Sequence, residues 1–430
     1  MYNIHVIIMS RTLDGTYTTV VSNIPTNASA RYGAIGVVGH MSSGVKYDSA
    51  GTGTNVVAGT DWEVFGSSSN GTVYQFDNFG QVTNLFGVIG TSDSWTAGTF
   101  SGTGSDTSGY DQAYNLIRQL ELIYLANPNA RVYAAVLTGT GTSADTAAPT
   151  GLTEALSELT KYDDISYVVG AGMDLNANLQ SHVNTASNET NKAERIYVGG
   201  TSLQTVLSGT NYALNSTLLA NYTANQNDNG RTVFVPMNIK YKFQSDSKSS
   251  TAVEVGGNFL AGYVAGYLSG IPEQQSLLRQ NPGFIQVYNN KEFRWSKSDL
   301  TTLIGDGALV LRHVSGRNAF SRALTFADPS SSSFTRITKR RIVDRVTKEV
   351  RISADGFVGK ANTAANRLAM QSGLKSKLST LASLGIIAAG SSARVFVEGT
   401  DIADGVVRVS VIFRPITEIE FVEILQSVEI

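Results

Sequence analysis

From Tyr114 to Met237 the chain alternates two kinds of apolar pattern. A helix-like stripe (Tyr114, Ile117, Leu120, Leu122, Leu125) in "YDQAYNLIRQLELIYLANPNA" runs into a short unbroken apolar run, "RVYAAVL". The same pair recurs as "LTEALSELTKY" then "ISYVVGAG", "ANLQSHVNTASNETNKA" then "RIYVGG", and "NSTLLANYTANQ" then "TVFVPM". Strand and helix in repeated alternation demand a largely parallel sheet covered by helices, because parallel neighbours need a crossover between them. The fold class that follows is α/β through the middle of the chain. Next comes "GGNFLAGYVAGYLSGI", a helix with Gly262, Gly266 and Gly270 four apart. That ridge lets another backbone come close.

The flanks read differently. "MYNIHVIIM" is a strand, and "SRTLDGTYTTVV" places Asp14-Gly15 as a hairpin turn between β-prone segments. Residues 41–109 are dense in Gly, Ser and Thr with strand-like pieces "TVYQF" and "LFGVIG". From Leu309 a strand–turn–strand precedes a basic helix, "FTRITKRRIVDRVTKEVRI", and a second helix striped by Met370, Leu374, Leu378 and Leu381. The chain closes on "GVVRVSVIFRPITEIEFVEILQSVEI", where Val407, Val409, Val411 and Phe413 alternate with Arg408, Ser410, Ile412 and Arg414. This is a strand with one face on a core. The expected divisions are 1–25 (first strands), 26–110 (a β-rich subdomain), 111–308 (α/β), 309–414 (α+β) and 415–430 (a terminal strand). A strand at each end is an invitation to pair with another chain.

Only 16% of the 430 residues are charged, against about 25% in an ordinary soluble domain. Such a surface suits burial against copies of itself, and it equally suits a turn-rich β protein. A net charge of −2 gives no global pull toward nucleic acid or anionic membrane. There is no cysteine, hence no disulfide and no thiolate metal site. The start lacks the features of a signal peptide, and "FLAGYVAGYLSGI" is too short for a span, so a protein made and folded in a cytoplasm is expected.

Chemistry is sparse. His5, His40, His182 and His313 have no metal-ligand spacing, and there is no HExxH, P-loop or GxSxG. "GAIGVVG" at Gly33–Gly39 does not fit GxGxxG and reads as a strand with glycines. Asp163-Asp164 and Asp344/Glu349 lie near bases without forming an evident acid/base pair. No catalytic residue, metal or cofactor is assigned. Two charge features stand out. No acid occurs between Asp355 and Glu398, where Lys360, Arg367, Lys375, Lys377 and Arg394 lie. The tail carries Glu418, Glu420, Glu423 and Glu429 with no base after Arg414. The first suits an acidic partner or a solvated face; the second suits addition to a sheet edge. The basic helix at 335–351 lacks the aromatic interleaving of a nucleic-acid surface.

Three segments together resemble contractile-tail sheath proteins of phages and phage-tail-like injection systems: "SNIPTNASARYGAIGVVG", "AVEVGGNFLAGYVAGYLSGIPEQQSLLRQNPG", and "GRNAFSRALTF…FTRITKRRIVDRVTKEVR" with the closing "VRVSVIFRPITEIEFVEI". "LLRQNPG" departs from the family's usual Pro/Ala/Gly run, and the segment from Met41 to Gly109 matches nothing, as befits the variable outer part of a sheath. The resemblance implies an α/β sheath core with a β-rich insertion and a C-terminal α+β domain whose arms extend to neighbours. It implies a helical homopolymer around a tail tube, contracting to drive that tube through a cell envelope without a nucleotide. Strands would pair between subunits through Ile4, Val6 and Ile8, through Val409, Val411 and Phe413, and through Ile419, Phe421 and Ile424. Arg367, Lys375 and Lys377 would hold the tube. Baseplate and tail terminator would be further partners, with no direct nucleic-acid contact and no membrane insertion, in a tail assembled in the host cytoplasm. Two rivals remain at this point: another self-assembling tail or baseplate protein, and an α/β enzyme with an unrecognised site.

Overall fold

A computed structural model of the chain describes residues 4–8, 18–22, 33–41, 71–86, 115–137, 149, 151–201, 226–244, 253–282, 286–287, 297–314, 317–328, 332–399, 401–402 and 405–419. Strands β1 (Ile4–Ile8) and β2 (Thr18–Ser22) form an antiparallel ladder of their own, with Ile4 opposite Ser22 and Ile8 opposite Thr18. The Asp14-Gly15 turn lies outside the described residues. Then follow β3 (Ala34–His40), β4 (Val73–Phe76), α1 (Phe79–Phe86), α2 (Asn115–Ala126), β5 (Val132–Leu137), α3 (Leu152–Leu159), β6 (Ile165–Asp174), α4 (Ala177–Ala186), β7 (Ile196–Gly200) and β8 (Thr232–Val235).

The central sheet has the order β4-β5-β3-β6-β7-β8 and is parallel except for β4. Its parallel strands are buried on both faces, which is why they read as unbroken apolar runs rather than alternating ones. The division expected at residue 110 does not hold for this sheet. β3 lies at its middle and β4 at its edge, so the first strands of the α/β layer come from the segment assigned to a separate subdomain. Of the two strand-like pieces noted there, "TVYQF" is β4, while Leu85 and Phe86 end α1 and Gly87–Gly90 lie outside the described residues. The "NSTLLANYTANQ" helix also falls outside them, except for Gln226. At the far side, the open edge of β8 is closed by irregular chain: Leu309 N–H donates to Phe234 O at 2.8 Å and Phe326 N–H to Thr232 O at 2.7 Å.

The next elements are β9 (Ile239–Tyr241), β10 (Val253–Val255), α5 (Gly257–Gly270), β11 (Gln286–Val287), α6 (Lys297–Gly305), β12 (Leu311–Val314) and β13 (Arg317–Phe320). The chain ends with α7 (Ile337–Asp355), α8 (Ala364–Ser383), β14 (Ser392–Phe396) and β15 (Arg408–Ile412). Helix α5 is buried almost throughout, and its glycine ridge meets α2 as the spacing predicts. At Gly266 an added Cβ would come within 2.5 Å of the Ile123 carbonyl oxygen and 3.0 Å of Ile123 Cα. Side chains then lock the pair: Gln119 Nε2 donates to Phe259 O at 3.1 Å and Asn127 Nδ2 to Ser269 Oγ at 2.9 Å.

Two separate apolar cores result. Ile337, at the start of α7, belongs to the larger core with the central sheet. Ile342 and Val346, farther along α7, belong to a second core with Met370, Leu374, Leu378, Leu381, Ile386, Ile387 and Ala393. Leu309, Val310, Leu311, Phe320 and Phe326 pack in the first core, so the C-terminal module begins at α7 and not at residue 309. The basic character of α7 now has a structural cause. Arg341 is buried, and its guanidinium donates to the carbonyls of Leu268 (2.9 Å), Ile271 (2.6 Å), Pro272 (3.2 Å) and Gln275 (3.3 Å). These acceptors lie at or just beyond the end of α5, where helical carbonyls lack intrahelical partners and favour a cation. Arg231 makes a bidentate pair with Asp344 at 3.0 and 3.1 Å, and Arg351 pairs with Glu194. The arginines of α7 thus hold the module to the α/β body.

A second buried guanidinium, Arg195, donates to Leu159 O and Tyr162 O at 2.9 and 2.7 Å and stands 2.7 Å from His182 Nε2. Burial, helped by the neighbouring Arg195 charge, pushes His182 down to about 4, so a neutral imidazole accepts from the guanidinium. His182 is thereby a packed partner of Arg195, and its ring is spent on structure.

Candidate functional site

The C-terminal module is small: two helices under a two-stranded sheet. Its apolar stripe on α8 is buried as the sequence spacing requires. In the hairpin above, Val395 pairs with Val409 and Ala393 with Val411. Ala393 is buried and Val395, Val409, Val411 and Phe413 pack on the second core. Arg394, Arg408, Ser410, Ile412 and Arg414 face outward. Arg408 is held by Asp401 at 2.8 Å, whereas Arg394 stacks on Phe396 with its guanidinium carbon 5.2 Å from the ring centroid. Neither Arg394 nor Arg414 meets an acid among the described residues.

Within the chain, therefore, Val409 and Val411 pair with β14 along one side of β15. The sheet contains these two strands alone among the described residues. Phe413 continues the inward face beyond the ladder. The following segment returns to the core, with Ala388 N–H donating to Arg414 O at 2.8 Å and Ile416 N–H to Ile386 O at 3.1 Å. Glu418 then reaches Arg336, with Oε1 3.9 Å from Nη1. Ile419 is 80% exposed, and Phe421 and Ile424 lie outside the described residues. At the other end Ile4, Val6 and Ile8 occupy β1 opposite Ser22, Val20 and Thr18.

The large apolar side chains exposed among the described residues all fall between Ile352 and Ile419, and none belongs to the α/β body. Ile412, on the outer face of β15, is 68% exposed. Apolar exposure confined to one small module marks that module as the sticky part of the molecule.

The three basic candidates on α8 separate in their surroundings. Lys375 is exposed and has no partner among the described residues. Lys377 is drawn inward, with Nζ 2.7 Å from Glu349 Oε2 on α7. Glu349 also takes Arg345 at 2.8 Å, and Arg345 reaches Glu273 of the α/β body at 3.3 Å. Arg367 donates to Asn362 O and Oδ1 at 3.0 and 2.8 Å, close to the start of its own helix. Sequence reading missed the Glu273–Arg345–Glu349–Lys377 chain, since nothing in the spacing of four residues on three segments brings them together.

Among the described residues no cluster of three metal-ligating side chains occurs, and no helix is long and apolar enough to cross a membrane. No protein-family model matches the sequence, and no curated protein does. Solved structures do. The helical sheath of the anti-feeding prophage in its contracted state is 13% identical, with a TM-score of 0.60 over 97% of this chain and 99% of that one. The contracted sheath of an extracellular contractile injection system, PVC, is 12% identical, with a TM-score of 0.59 over 97% and 98%. A sheath tail protein from Desulfitobacterium hafniense is 10% identical, with a TM-score of 0.56 over 94% and 100%. A baseplate structure of the anti-feeding prophage matches equally well, at 12% identity and a TM-score of 0.60 over 98% and 100%. The chain has the fold of contractile tail sheath proteins along essentially its whole length.

Proposed function

We propose that this protein is the structural subunit of a contractile tail sheath, with no enzymatic role. It polymerises helically around a tail tube by exchanging strands between subunits, and contraction of that lattice drives the tube through a target envelope. One observation carries the reading: the likeness to sheath subunits covers 97% of this chain and 98–99% of theirs, so it extends well beyond the common α/β layer. An open helical assembly needs a head-to-tail contact that does not close. A strand leaving one subunit and joining the sheet of another is such a contact. The exchanged strands would be β1, with Ile4, Val6 and Ile8, and the tail with Ile419, Phe421 and Ile424. The receiving sheet would be the hairpin of Val409, Val411 and Phe413. The tube, a baseplate and a tail terminator would be the other partners, in a tail assembled in the host cytoplasm.

Negative-stain electron microscopy of the purified, concentrated protein, alone and with its tube protein, tests this. Hollow helical tubes or stacked rings are expected. Small discrete particles under both conditions would overturn the reading.

The tube contact is assigned to α8, with Lys375 as its leading cation and Arg367 and Lys377 beside it. Lys375→Glu should leave self-assembly and thermal stability unchanged and reduce co-pelleting with tube about tenfold at low salt, an effect shrinking as salt rises. Lys377→Glu is a different experiment, because it sets a second carboxylate against Glu349. It should lower the melting temperature before any tube is present. Unchanged co-pelleting of the Lys375→Glu protein would remove α8 from the tube contact.

A further inference from the structure

We infer that the module carries an apolar anchor beside its cations: Leu368, in line with Lys375 on α8, together with Val358, Ile402 and Val406 on the two connections at that end of the module, seats in an apolar hollow bordered by carboxylates on a protein other than this chain. This rests on the tube reading above and adds to it the chemistry of the partner's surface.

Two hydrogen bonds locate the patch. Helix α7 ends at Asp355 and α8 begins at Ala364, while β14 ends at Phe396 and β15 begins at Arg408. The two connections meet, since Asn362 Nδ2 donates to Val406 O at 3.1 Å. Farther along α8, Gln371 Oε1 accepts the Val395 amide at 3.1 Å. Leu368 lies between these ties, on the part of α8 that runs beside the hairpin. Residues seven apart on a helix stand in one row, about two turns from each other. Leu368 and Lys375 are such a pair, and Ser372 and Ser379 fill out the row. All four are exposed. Val358 is 81% exposed and Leu368 67%, and Ile402 and Val406 are open to solvent with them.

A fixed frame presents these side chains. Asp401 is buried, and its carboxylate accepts from the Glu398 amide at 2.7 Å and from Arg408 Nε and Nη2 at 2.8 and 3.0 Å. Its carbonyl takes the Val406 amide at 2.7 Å. Ile402 is the next residue, so the polar bonds that hold this connection turn its apolar residues outward. At the start of α8, Thr363 caps the helix by accepting from the Asn366 amide at 3.2 Å. Apolar groups clustered at one exposed place do nothing for the fold and mark a surface for a partner. A surface ordered before the partner arrives loses little entropy on binding.

The chain's own surfaces make poor occupants. The α/β body of a second copy exposes no large apolar side chain among the described residues, so it gives this patch nothing to bury. The module of a second copy brings the same patch, with Lys360, Arg367 and Lys375 around it and no acid between Asp355 and Glu398. Asp401 is taken up by Arg408. Two such ends brought together would set cation against cation, which opposes association. The fitting partner is a different protein whose apolar hollow is rimmed by Asp or Glu, and in the sheath reading that protein is the tube.

Co-pelleting of the full chain with its tube protein at low and high salt tests this. Leu368→Ser and Ile402→Ser should each weaken binding roughly tenfold or more, as loss of one buried aliphatic side chain does. The loss should persist at about 1 M salt, where that of Lys375→Glu fades. Leu368→Lys separates the two chemistries, since it would strengthen a purely ionic contact and should weaken an anchored one. The sites are exposed, so thermal unfolding and assembly without tube should match the unaltered protein. Leu384→Ser is the control: this exposed leucine lies just past the other end of α8, about 24 Å away, and its loss should leave binding unchanged. Tube binding by Leu368→Ser at full strength, or tighter binding by Leu368→Lys, would overturn the anchor. Loss of tube-free assembly with tube binding intact would give the patch to a contact between copies and overturn the assigned partner. An unaltered chain that assembles yet never pellets with tube would sink the tube reading, and the anchor with it.

Discussion

Cutting the chain after Ile416 should give a folded monomer that does not assemble at concentrations where the full chain is polymeric. The same outcome is expected when Met1–Ser10 is removed. The fold of each subunit loses little. The cut after Ile416 keeps the Ile387–Pro415 bridge that ties the closing segment to the second core. It forfeits the Arg336–Glu418 contact, which at 3.9 Å is too long for a direct hydrogen bond. Removal of Met1–Ser10 takes away β1, whose ladder with β2 belongs to no larger sheet among the described residues. The polymer loses much more. An added strand of four or five residues contributes several backbone hydrogen bonds at about 1 kcal/mol each, together with two or three apolar side chains. A loss of about 3–5 kcal/mol per contact raises the critical concentration roughly 150- to 4,000-fold. Analytical ultracentrifugation reads assembly and thermal unfolding reads the fold. Polymers at the usual concentration from either shortened chain would exclude that strand as a connector.

How the sequence showed some of this and not the rest is a matter of range. Strands of the central sheet and helices α2, α5, α7 and α8 announce themselves because each is a local pattern of period 3.6 or a short apolar run with no competing signal. The stripe of Met370, Leu374, Leu378 and Leu381 is buried as its spacing requires. The glycine ridge of α5 foretold a close backbone, though not that α2 would supply it. Sheet membership was less legible. Glycine and serine density around β4 suggested a separate β-rich unit, but Val73–Phe76 pairs with Val132–Ala135 and completes the central sheet. Strand pairing is set by contacts distant in sequence, and composition is blind to it. Charge was the least legible property. The basic run on α7 lacks the aromatic interleaving of a nucleic-acid surface, but nothing in it foretold that Arg341 would be buried on four carbonyls. Lys375 and Lys377 flank the apolar stripe of α8 on opposite sides, and a glutamate on another helix takes up Lys377. The edge of β14 is closed by a glutamine 24 residues away, and a lone glutamine gives no signal of that role.

Gly266→Leu should abolish soluble folded protein, and even Gly266→Ala should cost about 2–3 kcal/mol. In an ordinary exposed helix position Gly→Ala is stabilising by about 1 kcal/mol, because alanine restricts the unfolded chain and favours the helix. At Gly266 the new methyl would stand 2.5 Å from the Ile123 carbonyl oxygen and 3.0 Å from its Cα. Both are backbone atoms of a buried helix, so neither can swing aside as a side chain would. The helices must part, and parting them strains the Gln119–Phe259 and Asn127–Ser269 bonds on either side of the contact. Packing that has opened cannot close around the intruding group, which is why overfilling a tight core costs as much as emptying one. The position matters beyond stability, because the Leu268 and Ile271 carbonyls gripped by Arg341 lie one turn farther on. A shift of α5 is thus passed to α7 and to the module that carries the open strand edge. Gly373→Ala on α8 is the matched control, since an added Cβ there meets nothing within 4 Å. It should gain up to about 1 kcal/mol. Denaturant titration of the two alanine variants gives the comparison. Equal gains at both sites would show that α2 and α5 have room to spare, and that this contact does not fix the distance between them.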